Sequence, residues 1–147
     1  LADYSPHSQG IPMTKSSDFP AGKCPTIRVV MMPKDTNAAG TIFGGLILSH
    51  IDLAAAVESH QHHEGKLVTV AMDEIIFREP VHVGDVVSFF TETLKVGRSS
   101  VRVDVQVWSE SRFGSVDRRL VTEAVVTMVA VDDSGKSIPL TNPRVPV

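Results

Sequence analysis

The spacing of apolar positions along this chain changes from a helical to a strand-like pattern. From Leu46 to Val57 nearly every residue is apolar, and the helical pattern extends from about Phe43 to His60. Residues 99 to 110 alternate instead, with valine at every second position from 101 to 107 and polar residues between them. Such alternation predicts a β-strand with one buried face and one face in water.

Four further segments are rich in β-branched residues and are bounded by turn residues: 26–32, 66–77, 85–96 and 118–132. Because short turns join the last four strands, we expect them to pair antiparallel. A helix that is apolar on nearly every side must be covered by other elements. The pattern therefore predicts an α+β architecture, a strongly curved antiparallel sheet wrapped round one central helix.

The sheet and helix together form a single predicted domain over residues 23–140. Residues 1–22 are rich in Ser, Pro and Gly and lack periodicity, so they are predicted to be a flexible arm. Residues 141–147 are predicted to be a tail.

Composition excludes several classes of function. The 147 residues carry a formal net charge of −3, which argues against a nucleic-acid-binding protein. No apolar run approaches the roughly 18 residues of a membrane span, and no secretory signal pattern is visible. Cys24 is the only cysteine, so no internal disulfide can form, which fits a reducing compartment. We expect a cytoplasmic protein that binds neither nucleic acid nor membranes.

The helix carries one residue that contradicts its apolar character, Asp52. Burying an ionised carboxylate costs free energy unless it is paired or used. One interpretation is that Asp52 holds or deprotonates a water aimed at a carbonyl group. The other is structural, a carboxylate bonded to a backbone N–H or to an arginine.

Two glycines, Gly44 and Gly45, stand at the start of the same helix. The first N–H groups of a helix lack intrahelical partners and carry partial positive charge, so glycines there would let a ligand oxygen approach them. The alternative is that they only allow close packing of the helix on a strand. Asp52 follows Gly45 by seven residues, which is nearly two turns and about 10 Å along the axis.

Two polar turns are further candidates. Asn37, in DTNAAG, either forms the turn or supplies an amide that orients water or polarises a carbonyl. In KVGRSS, residues 95–100, basic and hydroxyl groups either bind phosphates or belong to an ordinary hairpin. The histidines of SHQHHE, residues 59–64, lack the further convergent ligands that zinc needs, so no metal is expected.

Four segments occur in order and with characteristic spacing: MPKDTNAAGTIFGGLILSHIDLAAA, VTVAMDEIIFREPVHVGDVV, KVGRSSVRVDVQVW and TEAVVTMVAVDDSGK. Together they resemble the hotdog-fold acyl-CoA thioesterases, and in particular their YciA-type branch. The resemblance covers about residues 26 to 140. It implies a hotdog fold and the hydrolysis of acyl-CoA to a free acid and CoA, without a cofactor other than the CoA of the substrate and product.

The resemblance also assigns site residues. Asp52 corresponds to the catalytic aspartate, Asn37 to its partner asparagine, and Gly44 and Gly45 to the glycines near the thioester carbonyl. It implies a homodimer as the minimal active unit, in which Asn37 of one chain faces Asp52 of the other, and further association into hexamers.

The segment GRSS corresponds to the region that contacts CoA, so Arg98, Ser99 and Ser100 are candidate CoA-binding residues. Two other functions stay open on the sequence: a hotdog dehydratase, which would need a histidine beside the carboxylate, and a non-catalytic acyl-CoA-binding sensor.

Overall fold

The computed structural model describes residues 18–114 and 117–141, so most of the predicted arm and tail lies outside the described residues. Every predicted element is present, with ends that differ from the predicted ones by at most two residues. The elements are β1 Ile27–Val30, a 3₁₀ turn Pro33–Asp35, α1 Gly44–Ser59, β2 Leu67–Phe77, β3 Val86–Val96, β4 Ser100–Glu110 and β5 Arg118–Ala130.

The five strands form one antiparallel sheet in the order β1-β3-β4-β5-β2. The three strands that follow one another from β3 to β5 are neighbours, as short hairpin connections require. The first strand after the helix, β2, instead pairs with β5 at the far side of the sheet. Both β1 and β2 are therefore edge strands.

The core lies between α1 and one face of the sheet. Alternate valines of β4, at 101, 103, 105 and 107, are fully buried, which confirms the pattern predicted for this strand. Ile47, Ile51, Ala54 and Ala55 supply the buried side of the helix. The small alanines allow the helix to approach the sheet closely, and α1 contacts β2, β3, β4 and β5.

The expectation that α1 is covered on every side is wrong for the single chain. Leu53 and Val57 are both 55% exposed, so one apolar side of the helix faces outward. Asp52 is partly exposed rather than enclosed. Within residues 18–114 and 117–141, the five-stranded sheet covers one side of the helix and leaves this side uncovered.

The edge strand β2 is long, irregular and apolar. Its pairing with β5 shifts register between Thr69 and Ala71 and again between Asp73 and Ile76, and Glu74 adopts a left-handed backbone conformation with φ of 52°. Bulges of this kind bend a strand and increase its twist. Exposed apolar residues follow along it: Val70, Ile75, Ile76 and Phe77.

No helix in the described part of the chain is long and apolar enough to cross a membrane.

Candidate active site

Asp52 is held by a hydroxyl group from the edge strand. The Thr69 Oγ1 donates a hydrogen bond to Asp52 Oδ1. The same Thr69 Oγ1 lies 3.1 Å from the sulfur of Met128 on β5. A threonine hydroxyl has one hydrogen to donate, and a carboxylate is a much stronger acceptor than a thioether. Thr69 therefore donates its hydrogen bond to Asp52 and not to Met128. This bond fixes Oδ1 and leaves Oδ2 without a bond to Thr69.

The sequence offered a backbone N–H or an arginine as structural partners of Asp52. The hydrogen bond observed comes instead from a threonine hydroxyl. Thr69 was not identified from the sequence. Its place in an alternating strand marks it only as one polar residue among several. Its partner lies 17 positions away, and only the packing of α1 beside β2 brings the two together.

Two other polar side chains of α1, His50 and Glu58, face strand β3. The ring of His50 stacks on Phe89, with 5.4 Å between ring centroids. Glu58 accepts hydrogen bonds from Thr91 at 3.0 Å and from Thr93 at 2.8 Å. Neither His50 nor Glu58 is bonded to Asp52, so the helix carries two separate polar sites.

The start of α1 is lined by two aromatic rings. A side chain at Gly45 would collide with the ring of Phe43, and a Cβ at Gly44 would lie 3.5 Å from the ring of Phe77 on β2. Gly45 therefore lets the Phe43 ring lie against the first helical turn. The contact at Gly45 is with the residue that precedes its own helix and not with a strand, whereas Gly44 faces strand β2 at an ordinary contact distance. Neither contact conflicts with free N–H groups at this helix end.

Asn37 organises the turn that leads into the helix. Its Oδ1 accepts from the N–H groups of Ala39 at 2.9 Å and Thr41 at 3.2 Å, and its Nδ2 donates to Thr41 Oγ1 at 3.0 Å. Gly40 completes the turn with a φ of +84°. The turn-forming interpretation is therefore observed. Because Nδ2 carries two hydrogens and Thr41 takes one, a second donor remains for a ligand.

The preceding 3₁₀ turn fixes this loop to the helix. The N–H of Met32 donates to Asp35 Oδ2 at 2.9 Å, and this bond holds the pKa of the Asp35 carboxyl below its usual value, with Lys34 acting in the same direction. The backbone of Asp35 in turn accepts from the N–H of Phe43 at 2.9 Å. Asn37 and the glycines of α1 are thus parts of one local structure.

The segment around Arg98 forms the turn between β3 and β4. Gly97 donates its N–H to the Ser100 carbonyl at 2.7 Å, and Arg98 is exposed. The strand register relates this turn to Asp52, because Thr69 is paired with Met128 on β5, and Met128 with Val101 on β4. The turn therefore lies at the same end of the sheet as Thr69, two strand spacings or about 10 Å away.

The chain does not bring all candidate residues together. Asp52 lies near the middle of α1 and is bonded at the same end of the sheet as the Arg98 turn, whereas Asn37, Gly44 and Gly45 lie at the start of α1. Within residues 18–114 and 117–141, no group of three or more His, Cys, Asp or Glu side chains is arranged to hold a metal ion.

Comparison with known proteins identifies the family. The profile described as "Thioesterase superfamily" matches residues 39–112. An uncharacterized acyl-CoA thioester hydrolase of Haemophilus influenzae is 44% identical over 113 residues, which cover 76% of this chain and 73% of that protein. The chain belongs to the thioesterase superfamily.

Further relatives place it among the acyl-CoA thioester hydrolases. The YciA acyl-CoA thioester hydrolase of Salmonella typhimurium is 37% identical over 130 residues, 87% of this chain and 97% of the relative. The crystal structure of a hexameric hotdog-fold thioesterase of Campylobacter jejuni superposes with a TM-score of 0.77 at 40% identity, covering 81% of this chain and 91% of the other. The predicted family and the predicted hotdog fold are confirmed. The roles of individual residues stay predictions.

Replacing Asn37 tests its role in the turn. We expect Asn37→Ala to lower the free energy of unfolding by about 1–3 kcal/mol, because two backbone N–H groups lose their acceptor. Thr41→Val, which removes only the bond to Nδ2, is expected to cost about 1 kcal/mol or less. Denaturant unfolding of the two variants and the parent measures the difference. Equal losses in both variants would contradict a turn held mainly by Oδ1.

Proposed function

We propose that this protein hydrolyses acyl-CoA thioesters to a carboxylic acid and CoA at a site built from two chains. In this proposal Asp52 of one chain activates water, and Gly45 and Asn37 of the partner bind the thioester carbonyl. The family membership supports the reaction class, and the spacing of the candidate residues along α1 supports the shared site.

The decisive observation is that Gly45 and Asp52 belong to one continuous helix. Seven residues of α-helix separate them by about 10 Å along the axis. An oxyanion donor must come within about 3 Å of the carbonyl oxygen, and a base must hold its water within about 3 Å of the same reacting carbon. This separation favours a site in which one chain supplies the base and the helix start of a partner supplies the oxyanion donors.

The edge strand β2 is the surface proposed to join the partners. It is eleven residues long, its apolar side chains are exposed, and one of its edges has no strand beside it within the described chain. A long apolar edge is unstable in water and is typical of strands that pair with another chain. Thr69 and Phe77, which contact Asp52 and Gly44, both belong to this strand.

Two-fold pairing of β2 would reverse the direction of the second helix. The helix start of one chain would then lie beside the middle of the other, and two equivalent sites would form. As in the Campylobacter relative, we propose that such dimers assemble further into hexamers.

The proposed chemistry follows from this arrangement. Water held by the free oxygen of Asp52 attacks the thioester carbon and transfers a proton to the carboxylate, while the carbonyl oxygen gains negative charge. The N–H groups at the start of the partner's α1 and the free hydrogen of Asn37 Nδ2 stabilise that oxygen. The intermediate collapses by breaking the carbon–sulfur bond. Because a thiol has a pKa of about 8.5, the CoA thiolate leaves with little acid assistance.

The proposed CoA-binding group is the turn of Arg98, Ser99 and Ser100. Arg98 is exposed at the end of the sheet where Thr69 bonds to Asp52. Its guanidinium is therefore available to a phosphate group. The pantetheine arm would run from the thioester beside Asp52 to this turn.

Changing Asp52 to asparagine tests the carboxylate. Asp52→Asn keeps an acceptor for Thr69 but loses the base, so we expect kcat for an acyl-CoA to fall about 10²- to 10⁴-fold. Glu58→Gln is the matched control on the same helix, and it should stay within about threefold of the parent, since hydrogen bonds to Thr91 and Thr93 do not touch the reacting atoms. Release of free CoA thiol measures turnover.

Near-parental turnover of Asp52→Asn would exclude the role proposed for Asp52. Saturable binding of acyl-CoA by the parent without thiol release would indicate a sensor instead of an enzyme.

Thr69 is proposed as a positioning residue for Asp52. Thr69→Val should lower kcat by about tenfold or more, because a hydrogen bond to a charged group is lost, whereas Thr69→Ser should restore most of it. The KM for acyl-CoA should change little, since Thr69 does not contact the CoA turn. A loss shared equally by the serine and valine variants would point to packing rather than to the hydroxyl.

Mixed assemblies test the shared site. We expect Asp52→Asn chains and Asn37→Ala chains to be nearly inactive alone. When the two chains are co-expressed and isolated by two different tags, each mixed pair contains one intact site and should recover up to about half of the parental activity. Unfolding curves of the two single variants control for misfolding. Mixed pairs no more active than the average of the two variants would place both residues in one chain's site.

A further inference from the structure

The chain after β5 returns to the end of the sheet where the Arg98 turn lies. It reverses at residues 132–136, where Asp132 N–H donates to the Lys136 carbonyl at 2.9 Å and Gly135 has a φ of +84°. The Asp132 carboxylate accepts from the Ser134 hydroxyl at 2.7 Å and from the N–H of Lys136 at 3.0 Å. These bonds, that from the Ser134 hydroxyl most of all, lower the pKa of the Asp132 carboxyl, so it is ionised and accepts them at neutral pH.

Residues 138–141 then connect three different parts of the fold. The N–H of Ile138 donates to the Ala130 carbonyl at the end of β5, at 2.9 Å. The N–H of Leu140 donates to the Arg98 carbonyl at 2.9 Å. The N–H of Thr141 donates to Nδ1 of His63 at 3.1 Å. Pro139, which has no N–H, stands between the first two donors and removes none of these bonds.

His63 is the buried anchor of this segment. Its side chain is only 1% exposed, and its Nδ1 must accept because a backbone N–H can only donate. The Thr141 hydroxyl lies 3.3 Å from the same nitrogen. A Cβ at Gly65 would lie 2.5 Å from Nε2 of His63, so the glycine leaves the room that the ring occupies.

The backbone of the Arg98 turn is fixed from this side. The N–H of Ala130 donates to the Ser99 carbonyl at 2.9 Å, and Leu140 holds the Arg98 carbonyl next to it. Leu140 itself packs against the core through its side chain. The Arg98 side chain stays exposed. The turn therefore has an immobilised backbone and a free cationic side chain, which is the arrangement that lowers the entropic cost of binding an anion.

We propose that Leu140, anchored by Thr141 and His63, positions the Arg98 turn to bind the nucleotide end of CoA. This inference rests on the CoA-binding role proposed above for Arg98. None of these three residues is proposed to touch the substrate. They act through a carbonyl group, so their effect should appear in the KM for substrates that carry the nucleotide and not in the chemical step.

The test compares proline substitutions along the segment. Leu140→Pro removes the donor to Arg98, and Thr141→Pro removes the donor to His63. Each should raise the KM for butyryl-CoA about three- to tenfold, with kcat within about twofold of the parent. Ser137→Pro is the matched control, because the Ser137 N–H takes part in none of these bonds, and its KM should be parental. Thr141→Ala keeps the N–H and should lie closer to the parent than Thr141→Pro.

A truncated substrate separates positioning from general damage. With the N-acetylcysteamine thioester of butyrate, which has neither phosphate nor adenosine, the proline variants should have a parental KM. An equal rise for both substrates, or a parental KM of Leu140→Pro for butyryl-CoA, would overturn the inference. If Leu140→Pro fails to fold, as judged by its thermal transition, His63→Leu and its rescue by His63→Asn, which restores an acceptor, give the same comparison.

Failure of the inference can be told apart from failure of the proposed function. If the parent releases no CoA from butyryl-CoA or from acyl-CoAs of other chain lengths, the proposed function is wrong. If the parent is active but Arg98→Ala leaves the KM unchanged, the CoA role of the turn fails, and the inference fails with it. If Arg98→Ala raises the KM and Leu140→Pro does not, only the inference is wrong.

Discussion

The hydrogen bond from Thr69 to Asp52 is the interaction on which the site depends. It joins the helix to an edge strand, and it fixes a carboxylate that would otherwise rotate freely in a partly exposed position. A carboxylate that accepts one hydroxyl through a single oxygen keeps its other oxygen for water. Among the described strands, it is the bulged edge strand β2 that supplies the hydroxyl bonded to Asp52.

The rigidity of α1 imposes the second constraint. A helix cannot bend so far that two groups seven residues apart meet at one atom. The fold therefore holds Asp52 and Gly45 apart along one helix, and the proposed site accordingly combines two copies of the helix in opposite directions. The outward apolar side of α1 and the exposed apolar edge of β2 are consistent with this need, since both are costly in an isolated chain.

The two ends of the site rely on different kinds of support. At the helix start, local bonds within residues 32–43 hold Asn37 in place, and no distant residue is required. At the other end, the Arg98 carbonyl is bonded by Leu140, and the neighbouring Thr141 is bonded to His63, so the turn is held by residues distant from it in the sequence. Substitutions near Asn37 should thus act through local turn geometry, whereas the Arg98 turn, the proposed CoA-binding group, is expected to respond to the path of the C-terminal chain.

The sequence by itself determined the elements, because their periods of about 3.6 and 2 residues are local properties of the backbone. It also located Asp52 within an apolar helix, the glycines at the start of that helix and the turn-forming Asn37. Tertiary structure alone decided that β2 lies at the sheet edge beside β5, that Thr69 meets Asp52, and that Leu140 holds Arg98. These are contacts between distant residues, and alternation along a strand states which face is buried but not which strand or side chain lies beside it.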